Sequence, residues 1–183
     1  MLDSSQSMER FLASVERRAF RIAQIATNSA DDALDIVQEA MLALVKRYGT
    51  KPEEEWKPLF YRILINRIRD WYRRTKVRNR WRSWMQTIGK DKAVESLDPI
   101  ESLADPAVHN PEEQVIIDDS AAALDSALRI LPPRQQQAFL LRAWEGLTVR
   151  ETAIVMKCSA GSVKTHYARA VRTLRKLLED HRP

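Results

Sequence analysis

The clearest alternation of hydrophobic and polar positions lies between residues 148 and 178. It predicts a short helix over Glu151–Lys157, a turn at Cys158–Ser159 with Ser159 as N-cap, and a long helix from Ala160 onward. Apolar side chains of the long helix recur at spacings of three and four, the period of a helix face turned toward a core. They are Val163, Tyr167, Ala170, Leu174 and Leu178.

The opposite face of this long helix is small near its start and basic further along. Its members are Gly161, Ser162, Thr165, Ala168, Arg169 and Arg172, with Lys164 and His166 at the edges. A helix that enters the DNA major groove needs short residues for close approach and cations for phosphates and base edges. An ordinary surface helix with a solvated basic side has a similar pattern. The short partner helix and the tight turn favour a DNA-binding helix-turn-helix.

The N-terminal half shows the same period and predicts three helices. The first covers residues 8–26, the second runs from Asp31 and Asp32 to Tyr48, and the third starts near Trp56 and reaches Arg74 or beyond. The predicted core positions are Phe11, Val15, Ala19, Ile22 and Ile25 or Ala26, then Leu34, Val37, Met41, Leu44 and Val45, then Phe60, Ile63 or Leu64, Ile68 and Trp71. A neighbouring face of the second helix is either merely solvated or docks a partner helix. It carries Asp35, Gln38, Glu39 and Leu42.

Composition agrees with an all-α protein, because the 183 residues include only four glycines. The formal charge of +5 is unevenly distributed. Nine bases and one acid lie between residues 62 and 82, whereas ten acids and one base lie between residues 91 and 125. This segregation predicts a basic binding surface followed by an acidic connector.

Aromatic side chains are interleaved with the basic run. They are Trp71, Tyr72, Trp81 and Trp84. Cations hold phosphates while flat rings stack on unpaired bases, so this mixture suits single-stranded or melted nucleic acid. The other interpretation is that the tryptophans are core residues and the arginines a solvated face, and for Trp71 both interpretations remain open.

Periodicity fades after residue 83, and three Asp-Pro or Asn-Pro pairs follow before residue 112. Residues before proline avoid helical geometry, so this stretch predicts an extended flexible linker between two small helical domains. The only cysteine, Cys158, excludes disulfides within the chain and is expected to pack in the turn, with a redox role disfavoured. The N-terminus has no signal pattern and no apolar run approaches a membrane span, so a cytoplasmic protein without membrane insertion is expected.

Three segments together resemble one protein family. They are DDALDIVQEAMLALVKRY (31–48), LFYRILINRIRDWYRR (59–74) and the region from residue 127 to residue 177. In this order they are similar to conserved regions 2 and 4 of the extracytoplasmic-function (group 4) sigma factors of bacterial RNA polymerase. The resemblance implies a region 2 domain over 1–82, an acidic linker over 83–112 and a region 4 domain over 113–183.

The resemblance also implies a function without catalysis, cofactor or metal. Core RNA polymerase would be bound through its largest-subunit clamp and its flap, with the clamp contacting Asp35, Gln38, Glu39 and Leu42. The resemblance assigns the promoter −10 element to Trp56, Arg62, Asn66, Arg69, Arg73 and Arg74. It assigns the −35 element to Ser162, Lys164, Thr165, His166, Ala168, Arg169 and Arg172. An anti-sigma factor is a further expected partner besides promoter DNA.

Two positions depart from the family pattern. The expected −10 loop, GTKPEEEW, is acidic, and Thr152 stands where an isoleucine is usual, a change expected to affect packing. A different class of function is a stand-alone helix-turn-helix regulator that binds a palindromic site as a dimer. A hydrolase or metal enzyme ranks below both, because His109, His166 and His181 show no ligand spacing.

Overall fold

The computed structural model of the protein describes residues 2–87 and 119–179, and the side chains of residues 6–77 and 122–179. Every regular element in these ranges is helical, which confirms the all-α prediction. The elements are α1 (Leu2–Thr27), α2 (Ala30–Tyr48), α3 (Glu53–Thr87), α4 (Asp119–Ile130), α5 (Pro133–Phe139), α6 (Val149–Met156) and α7 (Ala160–Leu177), with a π-helical turn at Leu140–Trp144. We call α1–α3 the N-terminal unit and α4–α7 the C-terminal unit.

Local chemistry explains where α2 and α3 begin. Ser29 caps α2 by accepting a hydrogen bond from the Asp32 amide at 3.2 Å. In α3 the first turn is formed by Glu53, Glu54 and Glu55, whose carboxylates favour the positive end of the helix dipole. The acidic stretch that the sequence placed in a loop is therefore the start of a helix. The loop itself is limited to residues 49–52.

The core of the N-terminal unit is built on α3. Phe60, Tyr61, Leu64, Ile65 and Ile68 are fully or almost fully buried against α1 and α2. Their spacing of three and four explains how one helix face can supply so much of the core. The predicted α1 stripe is confirmed by the burial of Val15, Ala19 and Ile22, whereas Phe11 is half-buried.

The predicted core of α2 needs a correction. Val37 and Leu44 are buried, but Leu34 is 46% exposed and Val45 is 45% exposed. The core side of α2 is displaced toward Ala33, Ile36 and Ala40. Small alanines let α2 lie close to its neighbours, which leaves the larger Leu34 and Val45 at the edge.

The helix-turn-helix prediction is confirmed closely in the C-terminal unit. Thr148 and Glu151 form a capping box at the start of α6. Lys157 ends α6 in the left-handed region with φ 53°, and Ser159 caps α7 by accepting from the Ser162 amide at 3.0 Å. Val163, Ala170 and Leu174 are buried, as the stripe on α7 predicted.

The predicted linker overlaps the described structure only at its start. Residues 83–87 belong to the last part of α3, so α3 extends further than the periodicity suggested. Residues 88–112, and the predicted helix start at Pro111–Glu113, lie outside the described residues.

The two units are in contact with each other. Helix α3 packs against α6, and α1 packs against α4. Buried apolar side chains of both units belong to one continuous cluster. The tertiary structure therefore brings the basic helix α3 beside the helix-turn-helix, a juxtaposition that helix periodicity cannot predict.

Candidate nucleic-acid interface

Helix α7 presents the face that the sequence assigned to DNA. Most of the assigned side chains are exposed: Lys164, Thr165, Ala168, Arg169 and Arg172. Between residues 160 and 177 the helix contains no acidic residue, so nothing on it repels phosphate. The exposed face is small in its first turn and cationic afterward, a profile that permits close approach to a groove.

Two of the assigned α7 residues are only half-exposed. The Ser162 hydroxyl lies 2.9 Å from the Ser159 hydroxyl, so it belongs to the helix cap as well as to the face. His166 has its pKa lowered from 6.5, first by burial and then by the nearby charges of Arg134 and Arg169. His166 is therefore neutral near pH 7 and can act as a hydrogen-bond donor or acceptor there.

Arg134 is a candidate site residue that sequence reasoning missed. It lies in the first turn of α5, yet its guanidinium donates to the Met156 carbonyl at 2.7 Å and influences both His166 and Arg69. The hydrogen bond holds Arg134 across the end of α6. A basic residue on a different helix gives no periodic signal, so only the folded structure adds Arg134 to the face of α7.

Aromatic packing sets the position of α7. The rings of Phe139 and Tyr167 stack at 6.1 Å with an interplanar angle of 14°. The guanidinium of Arg142 lies 5.9 Å from the centroid of the Tyr167 ring. These contacts anchor the inner side of α7 and leave its cationic side free.

The basic face of α3 is more heavily engaged with protein. Arg62 donates to the Tyr48 hydroxyl at 3.2 Å and lies over the same ring, while Asn66 is half-buried. Arg73 is exposed and 3.8 Å from Asp70, and Arg74 is exposed. Arg73 and Arg74 thus extend into solvent, whereas Arg62 is held by Tyr48 and Asn66 is partly covered by protein.

Arg69 occupies the most constrained position on this face. Burial lowers the pKa of its guanidinium, and Arg134 and Arg73 lower that pKa further. Its Nη2 atom is buried without a hydrogen-bond partner among the described residues. A buried donor without a partner is costly, and an anionic ligand at this atom would remove that cost.

Trp56 requires a correction. It was expected to meet the −10 element, but it is only 2% exposed and its ring packs 5.8 Å from that of Phe11. The acidic turn before it belongs to α3, which turns Trp56 inward. Trp56 therefore supports the core of the N-terminal unit.

Trp71, for which two interpretations were open, is half-buried. Its ring contacts Tyr72 edge-on at 5.3 Å, and the Tyr72 hydroxyl donates to the Ala26 carbonyl at 2.7 Å. Burial raises the pKa of Tyr72 to about 12. Trp71 is thus partly core and partly available for stacking. The side chains of Trp81 and Trp84 lie outside the described set.

Helix α2 carries a separate exposed surface. Asp35, Gln38, Glu39 and Leu42 are all exposed, and Leu42 is 58% exposed. The misassigned Leu34 and Val45 flank Gln38, so the surface is more apolar than the sequence suggested. We call this whole exposed surface the α2 patch, and its apolar members are Leu34, Leu42 and Val45. Exposed apolar groups with a polar rim are typical of protein docking sites.

The α2 patch is linked to α3 by an ion pair. Glu39 lies 3.2 Å from Arg67. Both side chains are well exposed, so the pair contributes little to stability and leaves Glu39 accessible.

The described residues also bear on metal binding, membrane spanning and thiol chemistry. No group of three or more histidine, cysteine or acidic side chains could hold a metal ion there. None of the described helices is sufficiently long and apolar to cross a membrane. Cys158 is a half-buried free thiol.

Comparison with protein families gives two matches in chain order. The family "Sigma-70 region 2" matches residues 8–78, and "Sigma-70, region 4" matches residues 121–174. The first covers the N-terminal unit, including the α2 patch and most of α3. The second covers the helix-turn-helix.

Curated relatives agree. The chain is 30% identical over 149 residues to the RNA polymerase sigma-E factor of Streptomyces avermitilis, a match that covers 81% of this chain and 72% of that protein. It is 49% identical over 71 residues to the ECF RNA polymerase sigma factor BldN of Streptomyces coelicolor. That match covers 39% of this chain and 27% of BldN, about a quarter of that relative's length.

Two solved structures share the fold. The sigma factor RpoE, solved with the anti-sigma factor NepR from Bartonella quintana, has a TM-score of 0.64 at 24% identity and covers 100% of both chains. CnrH, solved with the cytosolic domain of CnrY, has a TM-score of 0.55 at 19% identity and covers 97% of this chain and 95% of that one.

Proposed function

The chain belongs to the extracytoplasmic-function sigma factors of the sigma-70 family, and on that premise we propose that it binds core RNA polymerase and directs it to promoters. It recognises −10 and −35 elements and assists promoter melting. The observation that carries this proposal is the pair of basic helix faces, on α3 and α7, in units that match regions 2 and 4 in order.

Helix α7 reads the −35 element. Arg169 and Lys164 lie on the exposed face where base edges would be met, and Arg172 follows one turn beyond Arg169. Ser162, Thr165, His166 and Ala168 provide the short or neutral part of that surface. Arg134 adds a phosphate contact from α5. A single helix reads few base pairs, so its affinity alone is low.

Helix α3 holds the melted −10 strand. Arg73 and Arg74 neutralise phosphates, and Arg62, Asn66 and Arg69 lie on the adjacent face of the same helix. Trp71 can stack on an unpaired base from its half-buried position. Stacking and charge together favour unpaired over paired DNA, which is how binding assists melting.

The α2 patch docks on the clamp of the largest polymerase subunit. Leu42 provides the apolar contact, and Asp35, Gln38 and Glu39 provide its polar rim. The C-terminal unit contacts the flap. Core polymerase then holds both units at the spacing of the two promoter elements, so that two weak interactions act as one strong interaction.

The proposed sigma factor has two domains joined by a linker. We place the region 2 domain at 1–82, the linker at 83–112 and the region 4 domain at 113–183, supported by family matches that leave residues 79–120 unmatched. The protein acts in the cytoplasm as a transcription initiation factor without catalysis or cofactor of its own. Like the sigma factor RpoE in its solved complex with NepR, it has an anti-sigma factor as partner.

A stand-alone dimeric regulator is not favoured. Such a protein would use a helix-turn-helix, but it has no need for the α2 patch or for a basic α3 matched to region 2. The two functions differ in the DNA they require: a palindrome for the dimer and a bipartite, non-palindromic site for the sigma factor.

The test is reconstitution with purified core RNA polymerase. Promoters mapped genome-wide after overexpression supply the templates, and run-off transcription is measured with the wild-type chain and with Leu42→Ala. We expect promoter-dependent transcripts from the wild type and at least a tenfold weaker core affinity for Leu42→Ala, about 1.4 kcal/mol. The exposed Leu177→Ala serves as a matched control outside the patch. No core binding by folded wild-type protein would refute the proposal.

A further inference from the structure

Helix α3 continues beyond the part of the chain that the family matches cover. The helix ends at Thr87, whereas the match to sigma-70 region 2 ends at residue 78 and the match to region 4 begins at residue 121. We call residues 77–87 the distal segment, and they form about three turns at the end of α3. The family matches therefore assign no role to most of the distal segment.

Apolar residues of the distal segment share one side of the helix. They are Val77, Trp81, Trp84 and Met85. Since each residue of an α-helix advances by about 100°, these four positions lie within about 100° of the helix circumference. Val77 is 56% exposed, so this apolar arc begins at the surface of the protein.

Cationic positions border the apolar arc. Arg78 lies about 20° beyond one edge of the arc and Arg80 about 40° beyond the other, with Arg82 further round the helix. The chain has no acidic residue between positions 71 and 87. An apolar arc bordered by cations is typical of a helix that lies at the boundary between water and anionic lipid headgroups.

Single-stranded nucleic acid is the competing ligand for a mixture of rings and cations. Bases stack on flat rings, but Val77 and Met85 share the arc with the two tryptophans and have no ring. Aliphatic side chains gain free energy by leaving water for an apolar environment. Tryptophan is favoured at the level of lipid headgroups, because it combines a large apolar body with a polar N–H group. The composition of the arc therefore favours a lipid surface.

We propose that the distal segment of α3 binds the surface of a membrane that contains anionic lipids. The segment lies parallel to that surface, with the apolar arc in the headgroup region and Arg78, Arg80 and Arg82 near lipid phosphates. It is about 16 Å long, which is too short for the hydrocarbon core of about 30 Å, so it lies on the membrane without crossing it. This inference does not rest on the proposed sigma function, since neither polymerase nor promoter DNA takes part in the binding.

The test is co-sedimentation of the full chain with lipid vesicles. One set of vesicles contains equal parts of phosphatidylglycerol and phosphatidylcholine, and the other contains phosphatidylcholine alone. One double variant combines Trp81→Ser with Trp84→Ser, and a second combines Arg80→Gln with Arg82→Gln. Circular dichroism and thermal unfolding establish that each variant is folded.

Matched controls make the same chemical changes elsewhere in the chain. Trp144→Ser removes a tryptophan that is 39% exposed in the C-terminal unit. Arg17→Gln combined with Arg47→Gln removes two positive charges from exposed positions on α1 and α2.

We expect the wild type to bind the vesicles that contain phosphatidylglycerol and not those of phosphatidylcholine alone. Each double variant in the distal segment should bind about tenfold more weakly or less, because one cation near an anionic surface contributes about fivefold. The controls should stay within about threefold of the wild type, because charges away from the surface are screened.

Three results would overturn the proposal. The first is a folded wild type that does not bind the phosphatidylglycerol vesicles. The second is an equal loss of binding in the Arg80/Arg82 variant and in its control, which would show attraction by net charge alone. The third is unchanged vesicle binding by the tryptophan variant. If that variant instead loses affinity for a labelled single-stranded oligonucleotide, the distal segment is a nucleic-acid surface. Run-off transcription is measured separately, so failure of membrane binding and failure of the sigma function are distinguishable.

Discussion

The two basic helices, α3 and α7, show how the same kind of charge can be placed for different tasks. Helix α7 buries a narrow stripe and leaves its cations in solvent, without any acid along its length. Helix α3 buries a wide apolar side, and three of its cations contact protein groups: Arg62 contacts Tyr48, Arg73 contacts Asp70, and Lys57 contacts Glu145 of the C-terminal unit. A helix that binds the groove of duplex DNA needs an exposed, protruding face. A helix that binds a single strand can have a face that is partly covered by other protein groups.

The largest effect on stability should come from a substitution in the buried side of α3. Phe60→Ala removes a fully buried ring that contacts Phe11 and Tyr61, and should lower the free energy of unfolding by about 3–5 kcal/mol. Urea denaturation measures this loss. The control is Val77→Ala on the same helix, 56% exposed, which should change stability by less than about 0.5 kcal/mol. Equal effects of the two substitutions would contradict the core assigned to α3.

The next largest effect should distinguish base-specific contacts of α7 from phosphate contacts of α3. Arg169→Ala should cost about 1–3 kcal/mol on the correct −35 sequence and relax discrimination, because a base contact is lost. Arg74→Ala should weaken all promoters similarly and reduce the slope of log K against log salt by about one, because a phosphate contact is lost. Holoenzyme binding to matched and mutated promoters at several salt concentrations measures both.

Exposed Arg17→Ala on α1 is the control for these two substitutions and should leave both quantities unchanged. If Arg169→Ala weakened every promoter to the same degree, Arg169 would be a phosphate contact and the contrast between the helices would disappear.

A smaller effect on stability should come from Thr152 of α6, the helix that packs against α7. Thr152 is 0% exposed, and its hydroxyl has no hydrogen-bond partner among the described residues. Thr152→Val keeps the shape and removes the unsatisfied group, so it should stabilise the protein by about 1 kcal/mol and raise Tm. Thr165→Val on exposed α7 is the matched control and should leave Tm nearly unchanged while weakening −35 binding. A lower Tm for Thr152→Val would indicate that the hydroxyl is satisfied.

The smallest effect is a pH dependence of stability that arises from His166 on α7. The pKa of His166 is lowered in the folded state by burial and by Arg134 and Arg169. Below the ordinary value of 6.5 the unfolded chain takes up a proton before the folded chain does, so stability falls as pH falls through this window. Above 6.5 His166 is neutral in both states and contributes no dependence.

The measurement compares the wild type with His166→Gln. Their difference in Tm should change between pH 7.5 and pH 5.5, with the wild type losing more stability. His166 is partly exposed, so solvent screening keeps this effect small. Parallel pH profiles for the two proteins would show that His166 has an ordinary pKa in the folded state.

Prediction from sequence succeeded where neighbouring residues of a single helix determine the feature. The start of α7 at Ala160, the Ser159 cap and the buried stripe at Val163, Ala170 and Leu174 all follow from local spacing and capping chemistry, whereas α6 begins at Val149, two residues before its predicted start. It was wrong at Leu34, Val45 and Trp56. Residues at the edge of an apolar stripe can turn toward a neighbour or toward solvent, and the position of that neighbour decides which.

Sequence alone determined the all-α class, the helix-turn-helix and the segregation of charge, because periodicity, capping and composition act over a few residues. Only the tertiary structure decided that Arg134 joins the face of α7, that the α2 patch includes Leu34 and Val45, and that α3 packs against α6 of the C-terminal unit. These features require contacts between residues far apart in the chain. Packing geometry, rather than any local pattern, creates such contacts.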